Sequence, residues 1–481
     1  MNTRPLQDYV KGHYGRKIAY VNVDEITEDN IIKVLNEGVK AHNWNRPIIK
    51  YLKDYVKGDC PARYRVKSVR DDIVNHVIEN HAYEIVQFKN SQTNSEPIQY
   101  ISINKDDVVA KAIDKLNTYV RVSHKHKKDI DAGEWTSAVG TAYKAVQRTN
   151  DSNIPFRIIS PNPMDTFIIY SKNTEEPLLA VQELKDEEDK RYWLCFDKKF
   201  EYRVQSGQLL TLGYDADGIE YRKRLHMFAD IPIVEYPNNS DRLSDIELVI
   251  DLLDAINNMQ SNRMDAVEQF VQSWIKFVNC DIDADTFDQM KKSGALAVKS
   301  NNGENKADVD VISQELSQSE SQIAKQDLWD NVLSILAIPT QQENSGGDTM
   351  GAVELRNGWS FAKSRAKIKD QYVIDAEMRL AKVMIGVINY AKGANECPIT
   401  EFDFTAQILH NPTDNLVART NALSQQLAMG IHPKVAIETV GLWSDTEKVY
   451  ALSAETIDKK QYSESVEQPE QIEKTEIIEE E

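Results

Sequence analysis

The stretch of the sequence with the strongest chemical signal is the glycine-rich loop Ser345-Gly-Gly-Asp-Thr-Met-Gly351. A loop that binds nucleotide phosphates follows a strand and ends in Gly-Lys before Ser or Thr. The dipeptide Gly-Lys does not occur in this chain, and the loop follows Pro339 rather than a strand-like run. The pattern therefore predicts a mobile polar loop rather than a phosphate-binding site.

Residues that could bind a metal or catalyse hydrolysis are present, but without the required spacing. Asp281-Ile-Asp-Ala-Asp285 resembles the start of a calcium loop, yet Thr286 and Lys292 occupy the positions of the required glycine and glutamate. No HExxH zinc motif and no GxSxG serine motif occur. His124-Lys-His-Lys-Lys128 is predicted to be a solvated basic helix end. We predict no catalytic residue, no metal ligand and no cofactor.

Composition restricts the remaining classes of function. The 481 residues carry 76 acidic and 57 basic side chains, which gives a formal net charge of −19. A protein that grips DNA phosphates tightly needs a basic surface, so any contact with nucleic acid is expected to be local or weak. The four cysteines form no CxxC pair and are expected to be reduced thiols. No signal peptide and no run of 18 apolar residues occur, so no membrane contact is expected.

The glycine-rich loop lies inside the longest helical pattern of the chain, from Ser321 to Ala391. An amphipathic run ends at Ile338, Pro339 stops it, and a second run continues beyond the loop without proline. Apolar residues recur every three or four positions in the second run, which indicates one helix face. Because about forty helical residues would span roughly 60 Å, we expect an assembly part here rather than a compact enzyme.

The elements before this stretch divide into a helical third and a β-rich part. Helices are predicted over residues 24–41, 48–56, 71–86, 106–127 and 134–146, and strands over 18–23 and 97–103. Short strand-like runs separated by turn residues then predict an antiparallel β-meander from Pro155 to Val234.

The next helix is predicted to start at the capping box Ser244-Asp-Ile-Glu247 and to extend to Trp274. Polar residues interrupt its apolar stripe, as expected for a helix that contacts water or a like helix along part of its length. They are Asn257, Asn258, Gln260, Asn262 and Arg263. An α/β insert at 277–312 follows, and beyond the long helix come a helical module at 416–455 and an acidic tail expected to be disordered.

Charge along the long helix adds one more pattern. A basic cluster follows the loop and consists of Arg356, Lys363, Arg365, Lys367 and Lys369. These cations either form a solvated helix face or pair with acidic residues of a neighbouring subunit. The candidate subunit contacts on the earlier helix are Asp251, Asp254, Ser261 and Asp265.

The order of these parts resembles the portal (head-to-tail connector) proteins of tailed double-stranded DNA bacteriophages. The resemblance covers most of residues 90–450, and it is carried by the order of several short stretches. They are Ser95-Glu-Pro-Ile-Gln-Tyr100, Ile158 to Tyr170, Ile231-Pro-Ile-Val-Glu-Tyr-Pro-Asn-Asn239, Ile338-Pro-Thr340 with Gly346-Gly347 and Gly351-Ala-Val, and Ala422 to Gly430 with Trp443-Ser-Asp-Thr-Glu447. The N-terminal helices and the acidic tail match less clearly.

The resemblance implies a mainly α-helical α+β fold for an elongated subunit that assembles into a ring. In chain order the implied parts are a wing (1–240, helical and then a β-meander), a first stem helix (241–275), a small α/β clip (276–313), a second, antiparallel stem helix (314–338), a tunnel loop (339–350), a long spine helix of the wing (351–396), a helical crown (397–460) and an acidic tail (461–481). The tunnel loop would narrow the channel with Thr340, Gln341, Gln342, Glu343, Asn344, Ser345, Gly346, Gly347, Asp348, Thr349 and Met350.

The resemblance also implies partners and a location. Twelve copies would surround double-stranded DNA at one capsid vertex of the virion, after assembly in the host cytoplasm. The implied partners are the terminase motor, a head-completion adaptor, and the major capsid and scaffolding proteins. The residues leave two alternatives open: a capsid protein without a channel, and a metal-dependent nuclease with an acidic site.

Overall fold

The structure is a computed structural model, and it describes most of the chain. The described residues are 15–67, 71–103, 106–151, 153–215, 218–271, 274–278, 285, 308–312, 318–340, 358–409, 416–443, 446, 449–454 and 456. Helices and sheets are mixed along the chain, and helices predominate, which agrees with the predicted α+β class.

Within these ranges the longer helices are α1 (Ile31–Val56), α2 (His81–Asn94), α3 (Asp107–Val122), α4 (Lys125–Val139), α5 (Ile250–Val271), α6 (Gln318–Leu336), α7 (Trp359–Lys392), α8 (Leu416–Ala428) and α9 (Pro433–Val440). The strands are β1 (Ala19–Val21), β2 (Gln99–Ser102), β3 (Thr141–Arg148), β4 (Phe156–Ile159), β5 (Thr166–Ser171), β6 (Pro177–Lys185), β7 (Arg191–Phe196), β8 (Phe200–Gln205), β9 (Gln208–Leu209), β10 (Gly213–Tyr214), β11 (Glu220–Tyr221), β12 (Lys223–Leu225), β13 (Ile233–Pro237), β14 (Trp274–Val278), β15 (Asp308–Ile312) and β16 (Phe404–Gln407).

The largest sheet contains the β-meander that the sequence predicted. Strands β5, β6, β7 and β8 pair antiparallel in chain order, and β12 and β9 both pair with β8. β1 pairs in parallel with β5 at the other edge. Alternate residues of the strands, among them Phe167, Ile169, Leu179 and Val181, share a buried cluster with residues of α1. The first helix therefore covers one face of the meander.

A second sheet, in the order β13-β3-β4, packs against α7. The sequence analysis assigned Phe156–Ile159 to the meander, but this strand pairs with β3 in the second sheet. Ala376, Leu380 and Val387 of α7 are buried in the cluster that includes this sheet, α3 and the β2–β16 pair. The predicted long helix is thus present over Trp359–Lys392, a length of 34 residues.

Several predicted helices are wrong in part, and the one predicted over 106–127 is divided at residues 123–124 into α3 and α4. Residues 71–80 form no helix, and α2 begins at His81, because side chains of α5 bind the backbone of the segment before it. The helix predicted over 134–146 ends before Gly140, and the chain continues as β3. The first six residues of β3 are all buried, so this strand lacks the alternation that would distinguish it from a helix.

The predicted break between helices 24–41 and 48–56 is also wrong. α1 is continuous through Pro47, although proline removes one helical hydrogen bond. The turn after the proline buries Ile48, Ile49 and Leu52 in a cluster with α2, α5 and α6. Burial of these side chains outweighs the lost hydrogen bond, since each contributes about 1.5–3 kcal/mol.

The described cysteines, Cys60, Cys195 and Cys397, are buried and free. Burial raises the pKa of each of these thiols, which keeps them protonated and unreactive near neutral pH. Cys280 lies outside the described residues. In the part of the chain that the structure describes, none of the helices combines the length and apolar character needed to cross a membrane.

His42 of α1 predicts a pH dependence of stability. Its ring stacks on Phe167, Nε2 lies 2.8 Å from the carbonyl oxygen of Met164, and burial lowers its pKa to about 4. The unfolded chain binds this proton near pH 6.5, so the free energy of unfolding should fall by about 3 kcal/mol as pH decreases from 6.5 to 4. Denaturant unfolding at several pH values measures this slope.

The variant His42→Leu should flatten the slope between pH 6.5 and 4, because the group that titrates is gone. His124→Asn is a matched control, since His124 is exposed and its left-handed backbone suits asparagine. An unchanged slope in His42→Leu would contradict the assignment.

Candidate functional site

Helices α5 and α6 pack side by side as an antiparallel pair. Leu253, near the start of α5, shares a buried cluster with Val332 and Leu336, near the end of α6. Further along, Arg263 Nη1 donates a hydrogen bond to Gln322 Oε1 at 2.7 Å. The contacts thus run in opposite directions along the two helices, which is the arrangement that the family resemblance implied for these two segments.

The predicted capping box fixes the turn that leads into α5. The backbone N–H of Ser244 donates to Glu247 Oε2 at 2.6 Å, and Arg16 pairs with the other carboxylate oxygen. The box closes a turn over residues 245–249, and α5 begins only at Ile250. The start of α5 is therefore held by a buried ion pair with a residue near the N-terminus.

Residues 73–80, hereafter the strap, run along α5. Side chains four residues apart on α5 accept hydrogen bonds from alternate backbone N–H groups of the strap. The pairs are Asn257 with Glu79 (2.9 Å), Ser261 with Val77 (3.0 Å) and Asp265 with Asn75 (2.6 Å). Four helical residues rise about 6 Å, and two extended residues span about 6.6 Å, so the two repeats match.

The strap also contacts α6. Glu79 Oε1 accepts a hydrogen bond from Lys325 Nζ at 2.6 Å. His81, directly after the strap, stacks on Trp329 with ring centroids 4.0 Å apart, and its Nε2 lies 3.0 Å from Glu79 Oε2. The polar middle of α5 was expected to contact water or a like helix along part of its length. Part of it, starting with the buried Asn257, instead binds the strap and joins the two helices.

The residues predicted as subunit contacts have different surroundings. Asp254 accepts a hydrogen bond from the Tyr55 hydroxyl at 2.8 Å, and Ser261 and Asp265 bind the strap. Asp251 is exposed at the start of α5. Three of the four thus have partners in their own chain, and contacts between subunits at these positions stay a prediction.

Two basic side chains also form ion pairs with Asp265. Arg65 Nη2 approaches its Oδ2 to 2.9 Å, and Lys67 forms a second ion pair with the same oxygen. Burial alone would raise the pKa of Asp265, but the hydrogen bonds from Lys67 and Asn75 and the charge of Arg65 lower it below its usual range. The carboxylate is therefore ionised at neutral pH and holds the segment before the strap on α5.

The end of α6 forms a left-handed turn. Ala337 has a φ of +53°, and the backbone N–H of Ile338 donates to the carbonyl of Leu333 at 2.9 Å, as in a Schellman motif. Pro339 follows and cannot continue the helix, which confirms the predicted stop.

Two cations from other helices bind the last carbonyl groups of α6. Lys89 Nζ of α2 donates to the carbonyl of Leu336 at 2.5 Å, and Arg365 Nη1 of α7 donates to that of Ile335 at 2.9 Å. Burial lowers the pKa of Lys89, and the charge of Asp245 opposes this shift. Cations are favoured here because the C-terminal end of a helix carries a partial negative charge.

Two residues of the predicted basic cluster therefore contact other parts of their own chain. Arg365 binds the end of α6, and Lys369 Nζ lies 3.3 Å from Asp245 Oδ2 in the turn before α5. Lys363 is half-buried and Lys367 is exposed. Lys369 is thus not part of a solvated helix face, whereas Arg365 is exposed even though it binds the end of α6, and pairing with a neighbouring subunit stays a prediction.

The predicted tunnel loop is described only at its first two residues. Thr340 is half-buried after the buried Pro339, and the residues from Gln341 to Met350, as well as Arg356, lie outside the described residues. The chain resumes at Gly358, which precedes α7, and the ring of Trp359 lies 6.3 Å from that of Phe88 in α2.

The sequence analysis missed a buried ion network that joins α7 to α4 and β3. Glu377 of α7 is fully buried and accepts four hydrogen bonds from side chains of four other elements. The donors are Lys144 (2.6 Å), Tyr100 (2.7 Å), Lys125 (2.9 Å) and Tyr236 (3.0 Å). The carboxylate thus ties α7 to α4, β2, β3 and β13.

Asp129 balances the charge of this network, because it binds the same two lysines, Lys125 and Lys144. Burial alone would raise the pKa of Glu377, but the two ammonium groups hold it well below the usual range. The stretch His124–Lys128 was interpreted as a solvated helix end, yet Lys125 is fully buried. The four-residue spacing of Lys125 and Asp129 was the signal available in the sequence.

Two other histidines, His76 and His81, have contacts in their own chain. His76 Nδ1 lies 3.0 Å from the carbonyl of Ala62, and His81 contacts Trp329 as described above. Among the described residues, no group of three or more His, Cys, Asp or Glu side chains is arranged to hold a metal ion.

Comparison with known proteins gives a family match over most of the chain. Residues 37–460 match the family described as "Phage portal protein, SPP1 Gp6-like". No curated protein matches the chain. One solved structure similar to this chain is described as "Neck of empty GTA particle computed with C6 symmetry". That similarity covers 76% of this chain and 90% of the other at 8% sequence identity, with a TM-score of 0.42.

Proposed function

Because the chain belongs to the SPP1 Gp6-like family of phage portal proteins, we propose that it forms a ring-shaped channel at one capsid vertex. Double-stranded DNA passes through this channel during packaging, is retained there, and leaves through it at ejection. The observation that carries this proposal is the family match over residues 37–460, which includes α5, α6 and α7. Twelve copies form the ring, as the family resemblance implies.

The charge of the chain supports a channel through which DNA slides. Tight binding to DNA comes from basic side chains that displace counterions from the phosphates. A chain with a net charge of −19 lacks the overall basic character that such binding requires. An acidic channel lets the duplex move without being held by its phosphates.

The parts of the subunit divide the work as follows. α5 and α6 form the channel wall, the region around β14 and β15 forms the clip, and α7 is the spine of the wing. The segment 339–350 narrows the channel, and α8 and α9 belong to the crown. The family is a structural one, so the energy for packaging comes from a terminase motor that docks on the clip. A head-completion adaptor docks there later, and the capsid and scaffolding proteins surround the wing.

Deletion of residues 342–349 tests the role of the constriction. We expect rings of normal shape but a strong loss of DNA-filled capsids, because a wider channel cannot support the duplex as it moves. Packaging is measured as the amount of nuclease-protected DNA per capsid.

Electron microscopy of the same deletion variant provides the assembly control, since it separates a packaging defect from a failure to form rings. Normal packaging in the deletion variant would contradict the role of this segment as a constriction. That result would not contradict the proposal that the chain forms a ring.

A further inference from the structure

The two described chain ends on either side of residues 341–357 contact the same place on the wing. The end of α6 is bound by Lys89, through the carbonyl of Leu336. The start of α7 contacts the neighbouring residue, through the ring of Trp359 against that of Phe88. Phe88 and Lys89, which are consecutive residues of α2, thus contact the chain just before residue 341 and just after residue 357.

A direct contact between α6 and α7 completes the arrangement. Arg365, two turns into α7, donates to the carbonyl of Ile335 at 2.9 Å, and its guanidinium lies 5.1 Å from the ring centroid of Phe361. The end of α6 therefore has two cationic contacts, one from the wing helix and one from the spine. Hydrogen bonds from charged donors are about twice as strong as neutral ones.

The turn before α5 is held at the same place. Asp245 Oδ2 lies 3.3 Å from Lys369 Nζ, and Ser137 and Asn238 donate to its carboxylate at 2.6 and 3.0 Å. The neighbouring charges of Lys369 and Lys89 offset the effect of burial and lower the pKa of Asp245. The carboxylate of Asp245 and the partial negative charge at the C-terminal end of α6 together balance the charges of Lys89, Arg365 and Lys369.

Resting on the proposed function, we propose that Phe88, Lys89 and Arg365 are positioning residues that hold both chain ends flanking residues 341–357 on α2. The two flanks thereby keep a fixed separation. The wing helix α2, rather than the channel wall alone, determines where the constriction attaches.

Hydrogen exchange of the purified full-length protein tests this inference. In the double variant Lys89→Met, Arg365→Met, the backbone amides of Ala337 and Ile338 should exchange at least about tenfold faster, since two charged hydrogen bonds to this helix end are lost. Amides of β3 and β6, which lie in other parts of the fold, should keep their rates. The variant Lys89→Arg, Arg365→Met should recover part of the protection, because an arginine at position 89 still donates to the carbonyl of Leu336.

Lys111→Met is the matched control, because it removes an exposed cation of α3. Unchanged exchange at residues 337–338 in the double variant would overturn the inference. An equal increase across β3 and β6 would overturn it too, because it would indicate general destabilisation. Local faster exchange in a protein that forms no ring would refute the proposed function and leave the positioning role standing.

Discussion

Replacing Glu377 with alanine should destabilise the protein by about 3–5 kcal/mol, because it leaves two buried lysines with a single carboxylate. Asp129 alone cannot balance both Lys125 and Lys144, and the hydroxyls of Tyr100 and Tyr236 also lose their acceptor. A loss of this size is a large part of the 5–15 kcal/mol that is typical of a folded domain. Denaturant unfolding at pH 7 measures it.

The pH dependence of this network has a definite sign. The pKa of Glu377 is lower in the folded protein than in the unfolded chain, so its stabilising contribution is fully present at neutral pH. This contribution is lost as pH falls below the usual glutamate range towards the folded pKa. Unfolding of Glu377→Ala should therefore depend less on pH in the acidic range than unfolding of the parent.

Two variants define the controls for Glu377. Asp375→Ala removes an exposed carboxylate from the same helix and should cost less than about 0.5 kcal/mol, although it pairs with Arg379. Glu377→Gln keeps the acceptor oxygen but not the charge, so its loss of stability should lie between those of Glu377→Ala and Asp375→Ala. A loss below about 1 kcal/mol in Glu377→Ala would contradict the importance of the network, since typical point changes already reach that value.

Gly140→Ala should cost about 2–4 kcal/mol, because a side chain at this position meets backbone. Gly140 ends α4 with a φ of +88°, and an added Cβ would lie 1.9 Å from the carbonyl oxygen of Arg242. Arg242 precedes the turn into α5, so the change should also loosen the start of that helix. Unfolding gives the overall loss, and hydrogen exchange in α5 gives the local effect.

The matched control is Gly207→Ala. Gly207 also has a positive φ, of +76°, but nothing lies within 4 Å of an added Cβ. This variant should therefore show only the cost of a left-handed residue, about 1–2 kcal/mol. Equal losses in the two variants would show that the close approach to Arg242 does not matter.

The sequence predicted elements whose residue spacing is set by local burial. The meander was recognisable because its strands are short apolar or aromatic runs separated by turn residues such as Ser206-Gly207. The apolar face of α7 was recognisable for the same reason, since Leu380, Val383 and Val387 recur at helical spacing. In both cases the pattern reflects burial along a single element.

The predictions failed where distant parts of the chain decide the structure. The strap is not helical because Asn257, Ser261 and Asp265, nearly 200 residues later, bind its backbone. The buried role of Lys125 depends on Glu377, which is 252 positions away (377 − 125). Neither partner can be identified from local composition or periodicity.

Part of the candidate site was predicted, and part was interpreted differently from what the structure shows. The stop at Pro339 follows from the proline signal in the sequence, whereas the antiparallel pair was implied only by the family resemblance. The contacts of Arg365 and Lys369 with other parts of their own chain could not be predicted, because their spacing is equally typical of a solvated helix face. A cation at a helix end and one on an exposed face look alike until the partner is known.

Electron microscopy of the purified full-length protein at micromolar concentration tests the central claim most directly. A portal protein should form ring-shaped particles of uniform size, each with a central hole that is visible in end-on views. Native mass spectrometry of the same sample should give one oligomer, with twelve copies expected. Monomers alone, or compact particles without a hole, would contradict the account.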